Sequence, residues 1–552
     1  MYTPQYLRHI RPIHHIQNGL KRMSTSTQPA RKEGDISSVF VSLSNKDGQQ
    51  QTQLPEEFAH LKRRLIAGRE GQIQRSWNRL LYQLREEVRT IQHRGSDVIP
   101  SIDYRDIHAA PRSFQEELRK RGVAVIRGVI PENEARGYKK EIEAYARENP
   151  GTRGKFFILK HSMDVTILIH LAFNIAFPPH DPQVYELYWS KPQVRARAHA
   201  NMLETQRFLM SFWHSHNTDA KISSTHPLVY ADRLRIRQPG DAGFALGAHV
   251  DGGSVERWQE NGYGQGYVYD KIWQGRWEEY DPWEASCRVP AVADLYNGAG
   301  ACSMFRMFQG WLSMSHTGPR EGTLLVNPIL ALSTAYYLLR PFFEPVSPLP
   351  EMGNTSRISF DTFLEPTNWR LETNPTSTIQ GATPGYSQEL NAALHPHLEL
   401  DKTMVHVPKI GPGDYVAWHC DCEFTSLPTS ILLAGKKAYL TNTAVHAVDK
   451  VHHGTGDSSV MYIPACSMTE ANAEYVKRQR DTFLEGVPPP DFPGSQGESQ
   501  HVGRATVDDL KGYTNELGLR TQGFVKLDAD NVDLSQGQQK VLQKANEILG
   551  LE

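Results

Sequence analysis

Cysteine is scarce in this sequence. Five in 552 residues exclude a disulfide scaffold, and Cys287, Cys302, Cys420, Cys422 and Cys466 read as reduced thiols of an intracellular protein. Cys420 and Cys422 have the spacing of half a zinc site, but no second cysteine pair completes four ligands. Long apolar runs are also missing. The longest, residues 165–177, contains His170 and Asn174 and is too short to span a bilayer; it reads as a buried helix. Charge of one sign is missing as well. Sixty basic residues against 62 acidic ones leave a net charge of −2, so no global field favours nucleic acid or a membrane surface.

What is present is ordinary for a packed globular protein: 39% hydrophobic and 22% charged residues, with ten tryptophans. The length is enough for two to four average domains, or for one large β-barrel enzyme with additions. The first 32 residues carry no acid but hold Arg8, Arg11, Lys21, Arg22, Arg31 and Lys32. A cytoplasmic protein is expected, with mitochondrial entry through this basic N-terminus as the alternative.

Residues 1–54 are polar and poor in large apolar side chains, a disordered or targeting tail. Residues 55–500 read as one domain. Its first part, 55–227, is helical. Leu61, Leu65, Ile73, Trp77, Leu80, Leu81, Leu84 and Val88 recur at helical spacing, with a break at Gly68 to Gly71. A short buried strand, Gly122 to Arg127, lies between helices at 113–121 and 132–148. From residue 228 the texture changes to short strands with Gly and Pro turns. A β-barrel or jelly-roll core over 228–470 is expected, interrupted by insertions at 255–300 and 340–400. Trp258, Trp273, Trp277 and Trp283, in the first insertion, are candidates to wall a pocket, although packing accounts for most of them. Residues 501–552 return to helical periodicity.

Three His-x-acid triplets occur: His249/Asp251, His397/Glu399 and His419/Asp421. On a strand, residues two apart share a face, about 7 Å apart along the backbone. With a distant histidine such a pair makes the facial triad that leaves positions open on a non-haem Fe(II). Context favours the first triplet. It lies in Leu246-Gly-Ala-His-Val-Asp-Gly-Gly-Ser254, and the two glycines let the chain turn and a co-substrate approach. His397/Glu399 reads as helical surface. For the third ligand the candidates are His419, His446, His452 and His453. His446 lies within an apolar strand, whereas His452 and His453 read as a polar loop.

Tyr230-Ala-Asp-Arg-Leu-Arg-Ile-Arg237, Leu246 to Trp258, Phe305-Arg-Met-Phe-Gln-Gly-Trp311, Val460-Met-Tyr-Ile463 and Pro488-Pro-Pro-Asp-Phe-Pro493 carry a resemblance. Over roughly residues 55 to 495 the chain resembles the YbiU-like family of unknown function, placed in the Fe(II)/2-oxoglutarate-dependent oxygenase superfamily. The resemblance implies an α+β fold with a double-stranded β-helix (jelly roll, cupin-like) core and helices packed on it from both termini. It also implies His249 and Asp251 as iron ligands and 2-oxoglutarate as co-substrate. In the family pattern the run Gly-Asp…Trp-His is followed closely by the ligand histidine. Here Gly413-Asp414…Trp418-His419 is separated from His446 by a 22-residue insert, residues 422–443. Removing it restores the spacing and makes His446 the third ligand. The ends of the insert can be encoded as splice-like strings, so a retained intron is the expectation that transcript sequencing tests.

The superfamily usually places an Arg for 2-oxoglutarate shortly after the last His ligand, but residues 452–459 contain none. Arg306 is the first choice for that cation, ahead of Arg235, Arg237 and Arg257, and Ser459 and Tyr462 are placed to add hydrogen bonds. The expected protein is thus a dioxygenase hydroxylating a small molecule, with neither nucleic acid nor membrane as partner. The alternatives are a cupin-type metal enzyme that does not use 2-oxoglutarate, or a non-catalytic metal-binding protein inactivated by the insert.

Overall fold

The computed structural model describes residues 53–152, 183–241, 248–298, 301–348, 358–421, 451–493 and 497–551. The apolar run 165–177, the insert 422–443 and His446 lie outside the described residues.

Fifteen strands are described: β1 (Ser101–Asp103), β2 (Val123–Arg127), β3 (Gln183–Tyr185), β4 (Ile222–Leu228), β5 (Leu234–Arg237), β6 (Ala248–Val250), β7 (Arg306–Ser313), β8 (Leu325–Val326), β9 (Phe343–Pro345), β10 (Trp369–Leu371), β11 (Gln388–Leu390), β12 (Val405–His406), β13 (Tyr415–His419), β14 (Ser458–Tyr462) and β15 (Ala465–Thr469). Nine of them form one mixed sheet in the order β1-β2-β13-β7-β14-β5-β3, with β15 pairing both β7 and β4. Only β1 and β2 run parallel; Val416 faces Val125 on one side and Trp311 on the other, and Val460 faces Ser313. The remaining strands make three antiparallel pairs, β6 with β11, β8 with β12, and β9 with β10.

The central strands are buried on both faces. β2 reads Val-Ala-Val-Ile and β13 reads Tyr-Val-Ala-Trp-His, with every one of these side chains buried. Continuous apolar runs of this length are what a covered sheet demands. Helices do the covering. The apolar positions found in the sequence form two helices, α1 (Glu57–Ile66) and α2 (Glu70–Arg94), separated by a break at Ala67, Gly68 and Arg69 where Gly68 takes a left-handed φ of 71°. α2 buries Ile73, Trp77, Leu80, Leu81, Leu84, Val88 and Ile91. Trp77 stacks on Phe343 with ring centroids 4.3 Å apart. Helix α3 (Arg112–Arg121) ends on Gly122 in the left-handed region, which turns the chain into β2.

At the C-terminus, helix α4 (Gln536–Leu549) starts with a Ser535/Gln538 capping box and buries Val541, Leu542, Ala545, Ile548 and Leu549. It packs on the helix Glu470–Glu485 and on β4. Helices and a large mixed sheet thus share one core, an α+β architecture. No helix among the described residues is long and apolar enough to cross a membrane.

Candidate functional site

β6 presents the first His-x-acid pair. Its register with β11 sets His249 opposite Glu389. His249 Nε2 and Asp251 Oδ1 are 3.4 Å apart, with His249 inside β6 and Asp251 one residue past its end, so the two side chains converge as the sequence implied. The chain then turns through Gly252 and Gly253, both at positive φ (81° and 86°). A Cβ on Gly253 would stand 2.2 Å from the carbonyl oxygen of Ala293, so only glycine fits there.

This turn is clamped from behind. The guanidinium of Arg257 donates to the carbonyl of Asp251 at 2.7 Å and to that of Gly253. The Tyr263 hydroxyl donates to the carbonyl of Gly252 at 2.7 Å. Three successive carbonyls of the turn therefore have side-chain donors. Arg257 is buried, with the rings of Tyr263 and Tyr337 within 6 Å of its guanidinium carbon. The sequence named Arg257 only as a lesser candidate for 2-oxoglutarate; its place in the stretch Glu256-Arg-Trp258 was the available signal.

The pair has a charged setting. Burial opposes ionisation of Asp251, but His249, the nearby Arg306 charge and a hydrogen bond from Gln309 outweigh it and hold the carboxyl well below the usual range. Burial likewise works against the Arg306 charge, yet Cys302 and Asp251 lead the groups that raise it above its ordinary value. Arg306 opens β7 and Gln309 lies within it, so the central strand of the sheet supplies both. Gln309 carries no motif and was not singled out in the sequence.

The other candidates are occupied elsewhere. His419 is buried, with its ring stacked on Trp213 at 4.4 Å and edge-on to Trp283 at 4.7 Å. Its Nε2–H donates to the Pro282 carbonyl at 2.9 Å and its Nδ1 accepts from the Asp421 N–H at 3.0 Å, which leaves no ring nitrogen for a metal. Burial pushes its pKa down to about 3. Asp421 pairs with Arg288 at 2.5 Å and accepts from Tyr280 at 2.9 Å. His419, Cys420 and Asp421 do lie close enough to suggest a metal cluster. Burial pushes the Cys420 thiol up to about 12, however, and the His419 bonds remove its lone pair, so this triplet is structural.

Two expectations are corrected. His397 is not helical surface. It is buried among Trp77, Tyr336 and Trp369, and its Nδ1 meets the Tyr336 hydroxyl at 3.1 Å. Burial drives its pKa well below the ordinary value. His452 is not in a polar surface loop either. It is buried, and its backbone exchanges hydrogen bonds with Gly240 and Asp241, while the exposed His453 donates to the Arg320 carbonyl. Both corrections share a cause: neighbours distant in sequence cover the segment.

Ser459 donates its hydroxyl to Asp457 and its N–H bonds Ser315. Arg237 is fully buried in a 2.6 Å pair with Asp241. Trp258, Trp273, Trp277 and Trp283 are all buried; the indole of Trp258 donates to Leu338 and that of Trp283 to Arg119. They pack the insertion onto the core.

A family model described as Gig2-like matches residues 52–431 and 425–521. The chain belongs to the Gig2-like family. The two matched pieces of the Gig2-like model meet at 425–431, inside the segment that the sequence marks as an insert. The uncharacterized protein YbiU of Escherichia coli (strain K12) is 29% identical over 461 residues, covering 82% of this chain and 93% of YbiU. The crystal structure of GlcNAc Inducible Gene 2, GIG2, from Candida albicans superposes with a TM-score of 0.71 at 29% identity, over 91% of this chain and 96% of that one. A Salmonella typhimurium LT2 protein described as a candidate oxidoreductase has a TM-score of 0.63 at 27% identity, over 86% and 99% of the two chains.

Proposed function

We propose that this Gig2-like protein is an Fe(II)- and 2-oxoglutarate-dependent dioxygenase that hydroxylates a small molecule. The observation that carries this reading is the 3.4 Å approach of His249 Nε2 to Asp251 Oδ1 on a clamped turn. The donor chemistry fits: an imidazole and a carboxylate kept ionised are two members of a facial triad, and His446 is the third ligand in this reading. The strand order β5-β14-β7-β13, antiparallel throughout, with the short pairs β6·β11 and β8·β12 outside it, supports a jelly-roll core. The description of the Salmonella relative points the same way. The division of the family match at 425–431 supports reading residues 422–443 as an insertion that separates His446 from its usual place.

When bound, iron would let 2-oxoglutarate and oxygen oxidise a C–H bond, with succinate, carbon dioxide and a hydroxylated product released. His249 and Asp251 would hold the metal together with His446. Arg306, charged and electrostatically coupled to Asp251, offers a two-pronged donor to the distal carboxylate of 2-oxoglutarate. Ser459, expected from the sequence to add a hydrogen bond to the same co-substrate, donates its hydroxyl to Asp457 instead.

The test is anaerobic titration with Fe(II) and 2-oxoglutarate, followed by air. A metal-to-ligand charge-transfer band and succinate release are expected. His249→Ala abolishes both, and Arg306→Ala raises the 2-oxoglutarate requirement by roughly tenfold or more. Absence of band and succinate, both in the full chain and in a chain lacking residues 422–443, overturns the reading.

A further inference from the structure

A second group of metal-type donors lies away from β6. His214 and His216 are two apart in the loop that precedes β4, and residues 281–286 bring Asp281 and Glu284 against them. His214 Nε2 is 3.0 Å from Asp281 Oδ2 and 3.8 Å from Glu284 Oε2, and His216 Nε2 is 3.6 Å from the same Glu284 oxygen. The donor atoms of His214, His216 and Asp281 all lie within 4.8 Å of one another. Tetrahedral zinc with bonds near 2.0–2.1 Å separates its ligand atoms by about 3.3 Å. The observed 3.0, 3.6 and 3.8 Å lie on either side of that value.

The frame is already built. His214 donates its N–H to the Trp283 carbonyl at 3.1 Å and accepts from the Ala285 N–H at 2.8 Å, an isolated bridge that ties the two segments. Each carboxylate is oriented by backbone donors. Glu284 accepts from the His216 N–H at 2.9 Å and the Ser286 N–H at 2.6 Å, and Asp281 accepts from the Trp283 N–H at 2.9 Å. Held carboxylates of this kind are how metal ligands are aimed. Glu284 is nearly covered, while the two histidines and Asp281 are open to solvent, so an ion has an entry path. A cleft of about 230 Å³ borders His214.

The geometry points to a second metal site, distinct from the candidate iron centre, in which His214, His216, Asp281 and Glu284 bind zinc. Two imidazoles with two carboxylates suit zinc among the divalent ions. Its role is a clip. Trp213 precedes the first ligand and Trp283 lies between the two acids, and these indoles hold His419 at the end of β13. Zinc would fasten both tryptophans from outside.

Zinc titration of the full chain against a chromogenic chelator tests this. The wild-type protein and His249→Ala should both retain a tight site that His214→Ala and His216→Ala each lose, with affinity falling at least about tenfold. Asp281→Asn keeps the shape and should weaken zinc by a similar factor. With Cu(II) as probe in the His249→Ala background, the electron paramagnetic resonance spectrum should show two coupled nitrogens, and one in either histidine variant. Thermal melts in chelator should match the parent protein, since the replaced side chains are exposed. Should a histidine variant melt early, the Asp281→Asn affinity decides. The inference is overturned if zinc stoichiometry and affinity are the same in the parent, the His214→Ala/His216→Ala double variant and Asp281→Asn.

Discussion

Asp251 and Arg257 show how much of this site is decided by single side chains. The guanidinium reaches back from position 257 to the carbonyls of residues 251 and 253, so it fixes the direction in which the Asp251 carboxylate leaves the turn. Arg257→Ala is expected to weaken Fe(II) binding on the order of 10- to 100-fold, as loss of a ligand-orienting partner does elsewhere. Arg257→Lys should rescue little, because one ammonium cannot bridge two carbonyls as a fork does. Anaerobic Fe(II) titration of folded variants reads this directly, and an unchanged affinity would remove Arg257 from the site. Gly253→Ala should cost more than about 1 kcal/mol in urea unfolding, because its Cβ meets the Ala293 carbonyl at 2.2 Å in addition to the unfavourable φ.

At the scale of elements, β7 is the strand on which the sheet depends. It pairs β13 along one edge and both β14 and β15 along the other, and it carries Arg306 and Gln309 toward Asp251. Gly310 in its middle is where Tyr415 crosses from β13, its hydroxyl donating to the Ile463 carbonyl at 2.5 Å. A Cβ on Gly310 would lie 2.3 Å from that hydroxyl. Tyr415→Phe should therefore cost about 1 kcal/mol, the net value of one buried hydrogen bond. Gly310→Ala should cost more, since it displaces the whole ring. Denaturant midpoints compare the two; a Gly310→Ala protein as stable as Tyr415→Phe would mean that the ring can move aside. Several elements were legible in advance. α2, β2, β5 and β13 follow from apolar period and length, and the Gly68 break from its neighbours. The sheet order was not legible, because β2 joins β13 across about 290 residues of sequence and no local period encodes such a partner.

At the scale of the molecule, the buried histidines set its response to acid. Burial is the leading cause that lowers His419 to about 3 and His226 to about 4, and His395 and His397 fall well below their ordinary value. The unfolded chain takes up these protons near pH 6.5 while the folded one refuses them. Stability is therefore full above pH 6.5 and is lost as the pH falls from there toward the folded values. For fully buried His419 alone, moving from pH 7 to pH 5 costs about 2 kcal/mol. Asp421 acts in the same direction over a lower pH window. Burial works against its charge, but Arg288 holds its pKa below the usual range, and it contributes stability above roughly pH 3.9 that is lost only in stronger acid. Urea unfolding at pH 7 and pH 5 checks this, and equal midpoints would contradict it.

The sequence by itself determined what depends on near neighbours. These are the amphipathic helices, the buried strands, and the closeness of His249 and Asp251, which are only two residues apart. Sequence context already favoured His249/Asp251, and the tertiary structure showed what engages the other two triplets. His419 is consumed by Pro282, Trp213 and Trp283, and His397 by Trp77, Tyr336 and Trp369, partners distant in sequence whose arrival is a matter of packing. His249 meets Asp251 with Arg306 and Gln309 nearby. Which atoms of a side chain remain available for chemistry is decided by what the fold brings against them, and no local pattern carries that information.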